Sequence, residues 1–314
     1  MIGPDSSPGR KNSSLTASIL ANKTAYLMLL PVVLSLFIFN YLPMFGLQIA
    51  FKNFRITRSM WTADWVGFKW FIQFFNSRQF FMVVSNTLTI SFITLLIGFP
   101  LPIILALILS EIRYRSLQRG IQTITYMPYF VSTVISVALV QTLFSSTGVI
   151  NEIVKIFNHG ENIIFIQDPK WFKFLYFILV IWKFTGFDSI VFFGAIAGID
   201  PQLYEAALID GAGRLARMWH ITIKCIMPTA AIMLILKIGK ILNVCWQEIL
   251  LLQNDLTLST SEVIQTYVYK RGIISGDYSF GTAIGLLTSV FGFLMVLGSN
   301  WLTRKMSDNE VSMF

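Results

Sequence analysis

Six stretches of the chain, at 25–51, 84–109, 121–144, 172–197, 226–252 and 281–302, are long and apolar enough to cross about 30 Å of hydrocarbon. Each reads as a membrane-spanning helix. The expected fold is therefore all-α and integral to a membrane, with six transmembrane helices and short polar connections. Composition agrees: only 13% of the 314 residues are charged, about half the usual share for a soluble domain. The net charge of +8 would suggest a nucleic-acid partner in a soluble protein. No basic, polar domain exists here to carry one, so the charge is assigned to Lys and Arg that flank the spans and face lipid.

Several runs contain proline: Pro31 and Pro43, Pro100 and Pro102, and Pro128. Each removes a helix hydrogen bond, and neighbouring helices in a membrane can supply the missing partner. The pattern fits simple irregularity or a functional kink. The loop at 51–83 holds Trp61, Trp65 and Trp70, suited to a membrane interface. Gly194 with Gly198, and Gly281 with Gly285, are small-residue pairs that let helices pack closely. Residues 1–24 and 305–314 are expected to be polar tails around a membrane domain at 25–304. The first apolar run is too long for a signal-peptide core and is read as a retained helix. An even number of spans puts both termini on one side. Lys and Arg divide almost equally between the two sides. The dense cluster Arg113, Arg115 and Arg119, with Arg304 and Lys305, favours termini in the cytoplasm.

Catalytic motifs are missing. Gly239-Lys240 lacks the rest of a phosphate-binding loop, so ATP hydrolysis is not expected in this chain. His159 and His220 fall on opposite sides of the membrane and cannot share a metal. Cys225 and Cys245, twenty positions apart, would be about 30 Å apart on one helix, too far for a disulfide.

The most informative segment is the loop at about 198–225. Asp200 is a good N-cap and Pro201 suits the first helical position. Glu205, Ala206, Ala207 and Leu208 favour helix, and Gly211 can end it in a left-handed conformation. Tyr204, Ala207, Leu208 and Gly211 share a face by three-four spacing. A short helix with a small apolar face needs a partner's cleft to bury it.

Glu205-Ala206-Ala207 followed by Gly211, Ile221, Ile223 and Pro228 resembles the EAA signature of bacterial ABC importer permeases. Tyr204 through Gly213, with Met218-Trp219-His220-Ile221-Thr222, resembles the sugar permeases of the maltose and glycerol-phosphate type. Asn40-Tyr41-Leu42-Pro43-Met44-Phe45-Gly46, Asn86-Thr87-Leu88 and Tyr126-Met127-Pro128 are similar to the branch importing complex oligosaccharides and oligouronates such as alginate. Lys224 stands where the family often has proline, which leaves open the bend that follows the loop. The resemblance implies a multi-pass protein of the bacterial inner membrane that alternates between inward- and outward-facing states. It implies a second permease subunit, two ATPase subunits that bind the ATP and magnesium, and an extracytoplasmic solute-binding protein. It makes the loop helix a cytoplasmic coupling helix, with Tyr204, Glu205, Ala206, Ala207, Asp210 and Gly211 as coupling residues. It implies no catalytic residue, metal or cofactor in this chain.

Inside the apolar runs lie Lys183, Asp188, Lys237, Lys240 and Glu248, and intramembrane charge usually faces a cavity or a partner. On one continuous helix, Lys240, Asn243 and Gln247 would share a face, with Lys237 one turn earlier. The family's pathway helices flank the coupling loop, which makes Lys183, Phe187, Asp188, Lys240, Asn243, Trp246 and Gln247 candidates for the substrate path. Two readings stay open: a wet cationic cavity, or structural ion pairs. Trp182, Phe184, Phe187 and Trp246 fit packing or stacking on sugar rings. An unpaired set of lysines would favour an anionic oligosaccharide over a neutral one. The rival readings are a permease for another small solute and an ion-coupled secondary transporter that uses the charged residues as a relay.

Overall fold

A computed structural model describes residues 22–306. The tails placed at 1–24 and 305–314 lie outside the described residues but for their inner ends, as do the side chains of Arg304 and Lys305. Among the described residues there is no β-strand, and five helices are long and apolar enough to span a membrane. A sixth span is a bent pair.

The first span, Lys23–Phe51, is α1 (Lys23–Leu36), a widened π turn at Phe37–Tyr41 and a tight 3-10 segment at Leu42–Phe51. No residue of α1 is buried, so its apolar surface is left for lipid or another subunit. The short α2 (Lys69–Phe75) tucks under the following loop, where Trp70 Nε1 donates to the Lys52 carbonyl at 2.9 Å. Trp70 is thus buried in the fold, whereas Trp61 and Trp65 are exposed as an interfacial belt requires. The second span joins α3 (Phe80–Gly98) to α4 (Pro100–Ser110), with Pro100 opening the second helix.

The third run does not form one straight helix. α5 (Arg115–Tyr126) passes through a 3-10 turn at Met127–Phe130 and turns by 102° into α6 (Thr133–Leu143). Pro128 withholds an N–H at the corner. Ser132 starts the new helix by accepting from Ile135 N. α7 (Val149–Phe157) follows, clamped by the buried Asn151, which bonds the Ser145 carbonyl and both backbone groups of Ile163.

α8 (Pro169–Ala197) is the central pillar. Asp168 caps it, its carboxylate accepting from Lys170 N at 2.9 Å. Tyr176, Leu175, Leu179 and Phe172 carry the main core cluster with Ile90, Val140 and Ile249. Gly186 meets the carbonyl of Thr125 so closely that any β-carbon there would overlap it. The loop helix α9 (Pro201–Ile209) leads through α10 (Arg214–Arg217) and a π turn at Met218–Thr222 into α11 (Ile223–Gly239). Arg214–Gly239 runs as one span, so Lys224 produces no break.

The fifth run also departs from expectation. Its helix ends at Gly239, and a non-helical segment at 240–245 precedes α12 (Trp246–Leu252). Lys240, Asn243 and Gln247 therefore do not share a helical face. The reason is a close helix crossing. α15 (Tyr278–Met306) brings Val296 against the space above Gly239, and the Gly239 carbonyl lies 2.8 Å from where Gly292 would carry a β-carbon. The freed backbone finds a partner in Gln265, whose amide donates to the Leu242 carbonyl and to Asn243 Oδ1.

The connection that follows α12 holds α13 (Leu258–Ser261) and α14 (Ile264–Val268). Asn86 and Thr87 anchor it: Asn86 Nδ2 donates to the Ser259 and Glu262 carbonyls, and Thr87 Oγ1 accepts from Ile264 N. Gly281 packs on Gly272, while nothing lies close to Gly194 or Gly285.

Candidate coupling loop and translocation cavities

The loop helix is built as its sequence suggests. Asp200 Oδ1 accepts from Gln202 N at 2.9 Å, and Pro201 begins α9. At the other end Gly211 has φ of 78°, Ala212 N donates to the Ala207 carbonyl, and Gly211 N donates to the Leu208 carbonyl. This pairing is a Schellman stop, which needs a left-handed residue at Gly211. The face inferred from spacing divides in two. Tyr204 and Ala207 turn toward the protein, where the Tyr204 hydroxyl pairs with Thr222 Oγ1 at 2.9 Å. Glu205, Ala206, Asp210 and Gly211 are exposed, and so are Leu203, Leu208 and Ile209, the last at 88%. Leu203 and Ile209 escaped the spacing argument because it followed the face of Tyr204.

A second tie also has no signal in local sequence. Arg214 reaches Glu111 at the end of α4, with Nη2 at 2.9 Å and Nε at 3.0 Å from Oε2. Nη2 donates as well to the Glu111 carbonyl. The pair is exposed, so it adds little stability, but it fixes where the loop sits against the second span.

Two cavities flank α8. One, of about 540 Å³, is lined by Ser91, Thr94, Asp188, Lys237, Lys240 and Asn243 among mainly apolar walls. The other, of about 420 Å³, is lined by Tyr129, Thr133, Lys183, Trp246, Gln247 and Glu248. They share Phe184 and Cys245. Six of the seven substrate-path candidates line one or the other; Phe187 does not, and stacks instead on Tyr129 at 3.7 Å. Tyr129 and Thr133 were not singled out from sequence, because only the bend after Pro128 turns them toward α8.

The lysines are mostly neutralised. Lys183 Nζ bonds Glu248 Oε1 at 2.9 Å and Thr133 Oγ1 at 2.8 Å, and Thr133 bonds the same Glu248 oxygen at 3.2 Å. Lys183 and Glu248 are 5% and 4% exposed. Lys237 pairs with Asp188 at 2.7 Å. Structural ion pairing therefore accounts for two of the three lysines. Lys240 has no acidic partner among the described residues and leaves its cavity with one net positive charge.

A multi-span bundle with charged side chains gathered on two cavities and a capped helix displayed outside the spans has the form of a membrane transport permease. Comparison with known proteins names the family. Residues 98–308 match the model of the binding-protein-dependent transport system inner membrane component, and the chain belongs to that family. It is 43% identical over 296 residues to protein LplB of Bacillus subtilis, covering 94% of this chain and 93% of that one. It is 39% identical over 302 residues to the polygalacturonan/rhamnogalacturonan transport system permease protein YteP of the same organism, covering 96% and 94%. Among solved structures it resembles a chain of a bacterial ABC transporter involved in import of the acidic polysaccharide alginate. The TM-score there is 0.86 at 40% identity, covering 94% of this chain and all of that one. It also resembles a chain of a bacterial alginate ABC transporter solved in complex with an alginate pentasaccharide-bound periplasmic protein, with a TM-score of 0.86 at 39% identity, covering 96% of this chain and all of that one. The family is a transport permease, so this chain is not an enzyme.

Breaking the buried pair on one side strands a charge. Lys183→Met is expected to destabilise the protein by about 3–5 kcal/mol, whereas Lys183→Met with Glu248→Leu restores most of the loss. Thermal unfolding midpoints of the purified membrane protein check this; equal losses in both variants would show that the pair is not coupled.

Proposed function

We propose that this chain is one of two permease subunits of an ABC importer that takes up an acidic oligosaccharide, such as an oligouronate, across the bacterial inner membrane. Two ATPase subunits and an extracytoplasmic solute-binding protein complete the assembly. Membership of a binding-protein-dependent transport family supports the assembly, and relatives named for polygalacturonan and alginate support the substrate class. The single observation that carries the charge preference is Lys240, a cation on the wall of the 540 Å³ cavity with no acidic partner among the described residues. The ion-coupled relay through Lys183, Asp188, Lys240 and Glu248 is disfavoured, because three of those four residues are held in ion pairs, Lys183 with Glu248 and Asp188 with Lys237.

A carboxylate bonded to Lys240 is held by a charge-assisted contact worth about 1.5–3 kcal/mol. Lys240→Gln should slow import of trigalacturonate about tenfold or more in vesicles supplied with ATP and binding protein. It should leave the carboxyl-reduced trisaccharide unaffected. Unchanged trigalacturonate import would reject the assignment.

α9 is the proposed coupling helix. Its exposed Glu205, Ala206, Asp210 and Gly211, with the apolar Leu208 and Ile209, would enter a cleft of an ATPase subunit. Tyr204 and Ala207 would hold the helix from behind. No atom lies within 4 Å of a β-carbon placed on Gly211, so its strain is purely conformational and a larger side chain would project toward the partner. Gly211→Leu should abolish substrate-stimulated ATP hydrolysis while insertion is kept. Gly211→Asn, which tolerates a positive φ, should retain a substantial part of it. Full activity in Gly211→Leu would count against docking through this turn.

The same reading puts both termini, α9 and the loop containing Arg113, Arg115 and Arg119 in the cytoplasm, within a membrane domain at 25–304. In a Cys225→Ser background, an impermeant thiol reagent applied to intact cells should spare a cysteine at Ala206 and label one at Asn158. The opposite pattern would invert the topology.

A further inference from the structure

We propose that the 420 Å³ cavity is a separate saccharide subsite that reads hydroxyl groups, while the neighbouring 540 Å³ cavity reads charge. The proposal rests on the reading that a carbohydrate passes through these cavities, and it does not need the substrate to be acidic.

An ammonium has three donors, and Lys183 spends two, on Thr133 and Glu248. Glu248 receives both of its bonds on Oε1, and Oε2 has no partner among the described residues. One donor and one acceptor thus remain on adjacent groups that line the cavity and are themselves more than nine-tenths buried. A pair of neighbouring sugar hydroxyls offers the complement, since each hydroxyl donates and accepts. Around the ion pair stand the rings of Tyr129 and Trp246 and the amide of Gln247. The rings give flat apolar surface to the carbon face of a pyranose, and the amide adds a further donor and acceptor. The volume lies within the usual range of about 300–1,000 Å³ for small-molecule sites.

Charge decides against a carboxylate here. Lys183 and Glu248 sum to zero, and an incoming anion would meet Glu248 as closely as Lys183. The net cation is Lys240, across the wall formed by Phe184 and Cys245. One oligosaccharide can therefore place a carboxylate-bearing unit on one side and a hydroxyl-bearing face on the other.

The test uses the complete transporter in vesicles with its binding protein. Four probes are compared: trigalacturonate, its carboxyl-reduced counterpart, and the 2,3-di-O-methyl derivative of each. The wild type should favour the free hydroxyls over the methylated forms about tenfold, with or without the carboxylates. Lys183→Met with Glu248→Leu should lose most of that preference and keep the preference for acid over reduced sugar. Lys240→Gln should do the reverse. Retention of the hydroxyl preference by the double variant overturns the subsite, as does an equal loss of import for all four probes at normal assembly, which marks a structural tie. Should the double variant not assemble, Trp246→Ala and Gln247→Ala decide: reduced discrimination of the methylated sugars supports the subsite and unchanged discrimination rejects it. A wild type indifferent to carboxyl reduction rejects only the charge reading, and the reduced sugars still test the hydroxyl site.

Discussion

A backbone inside lipid has no water to bond, so every N–H and C=O left by a helix break must find a partner in the protein. That constraint organises this structure. Helical order fails near mid-span at Pro128 and after Gly239, and each failure lies against other helices. At the first, Ser132 caps the outgoing helix and the preceding turn packs on α8, where the absence of a side chain on Gly186 leaves room for the Thr125 carbonyl. At the second, Gln265 reaches across from α14 to the loosened backbone of Leu242 and to Asn243. The non-helical residues of the fifth run line the cavities. These two breaks lie where polar side chains are needed, whereas the first span keeps its backbone wound as a π turn and a 3-10 segment on an exposed surface.

The same economy governs charge. An isolated ammonium at this depth is costly, and Lys183 and Lys237 are each held by an acid on another element. Both pairs join α8 to the fifth run, one on each side of its break. The lysine that escapes pairing, Lys240, lies within the break itself, the first residue after the helix ends. Its position follows from the glycine: once Gly239 admits α15 and the helix stops, the next side chain is no longer bound to a helical direction.

Much of this could be read from the residues. Span existence follows from hydropathy, which does not depend on partners, and the ends of α9 follow from Asp200, Pro201 and Gly211, whose effects are local. What could not be read depends on contacts distant in sequence. Nothing near Gly239 distinguishes a tolerated helix glycine from a stop; Val296 and Gly292 make the difference, more than fifty residues away. For this reason the inferred common face of Lys240, Asn243 and Gln247 was wrong, although all three do reach cavity walls. Likewise three-four spacing grouped Tyr204 with Leu208, but Thr222 draws Tyr204 inward and leaves Leu208 and Ile209 outside. Structural ion pairing was one of two open readings, and only the fold brings Lys183 to Glu248, 65 positions further on, to close it.

The proposed coupling helix is joined through the turn at Gly211 to a long rod that ends at the cavities. α9 has nine residues, too short to be stable alone, so its order comes from its two caps and from the Tyr204 bond to Thr222 at the head of α11. From Arg214 the chain runs as 26 helical residues to Gly239, about 39 Å at 1.5 Å per residue. Its near end is tied to the second span through Glu111. Its far end carries Lys237, bonded to Asp188 on the cavity wall, and then the break. A helix transmits axial displacement because its hydrogen bonds resist compression, while the irregular residues beyond Gly239 resist little. A push on α9 would therefore arrive as movement at Lys237 and the 240–245 segment, where the two cavities meet. The break places the compliant part of the fifth run beside the proposed substrate path and the stiff part between it and the proposed coupling loop.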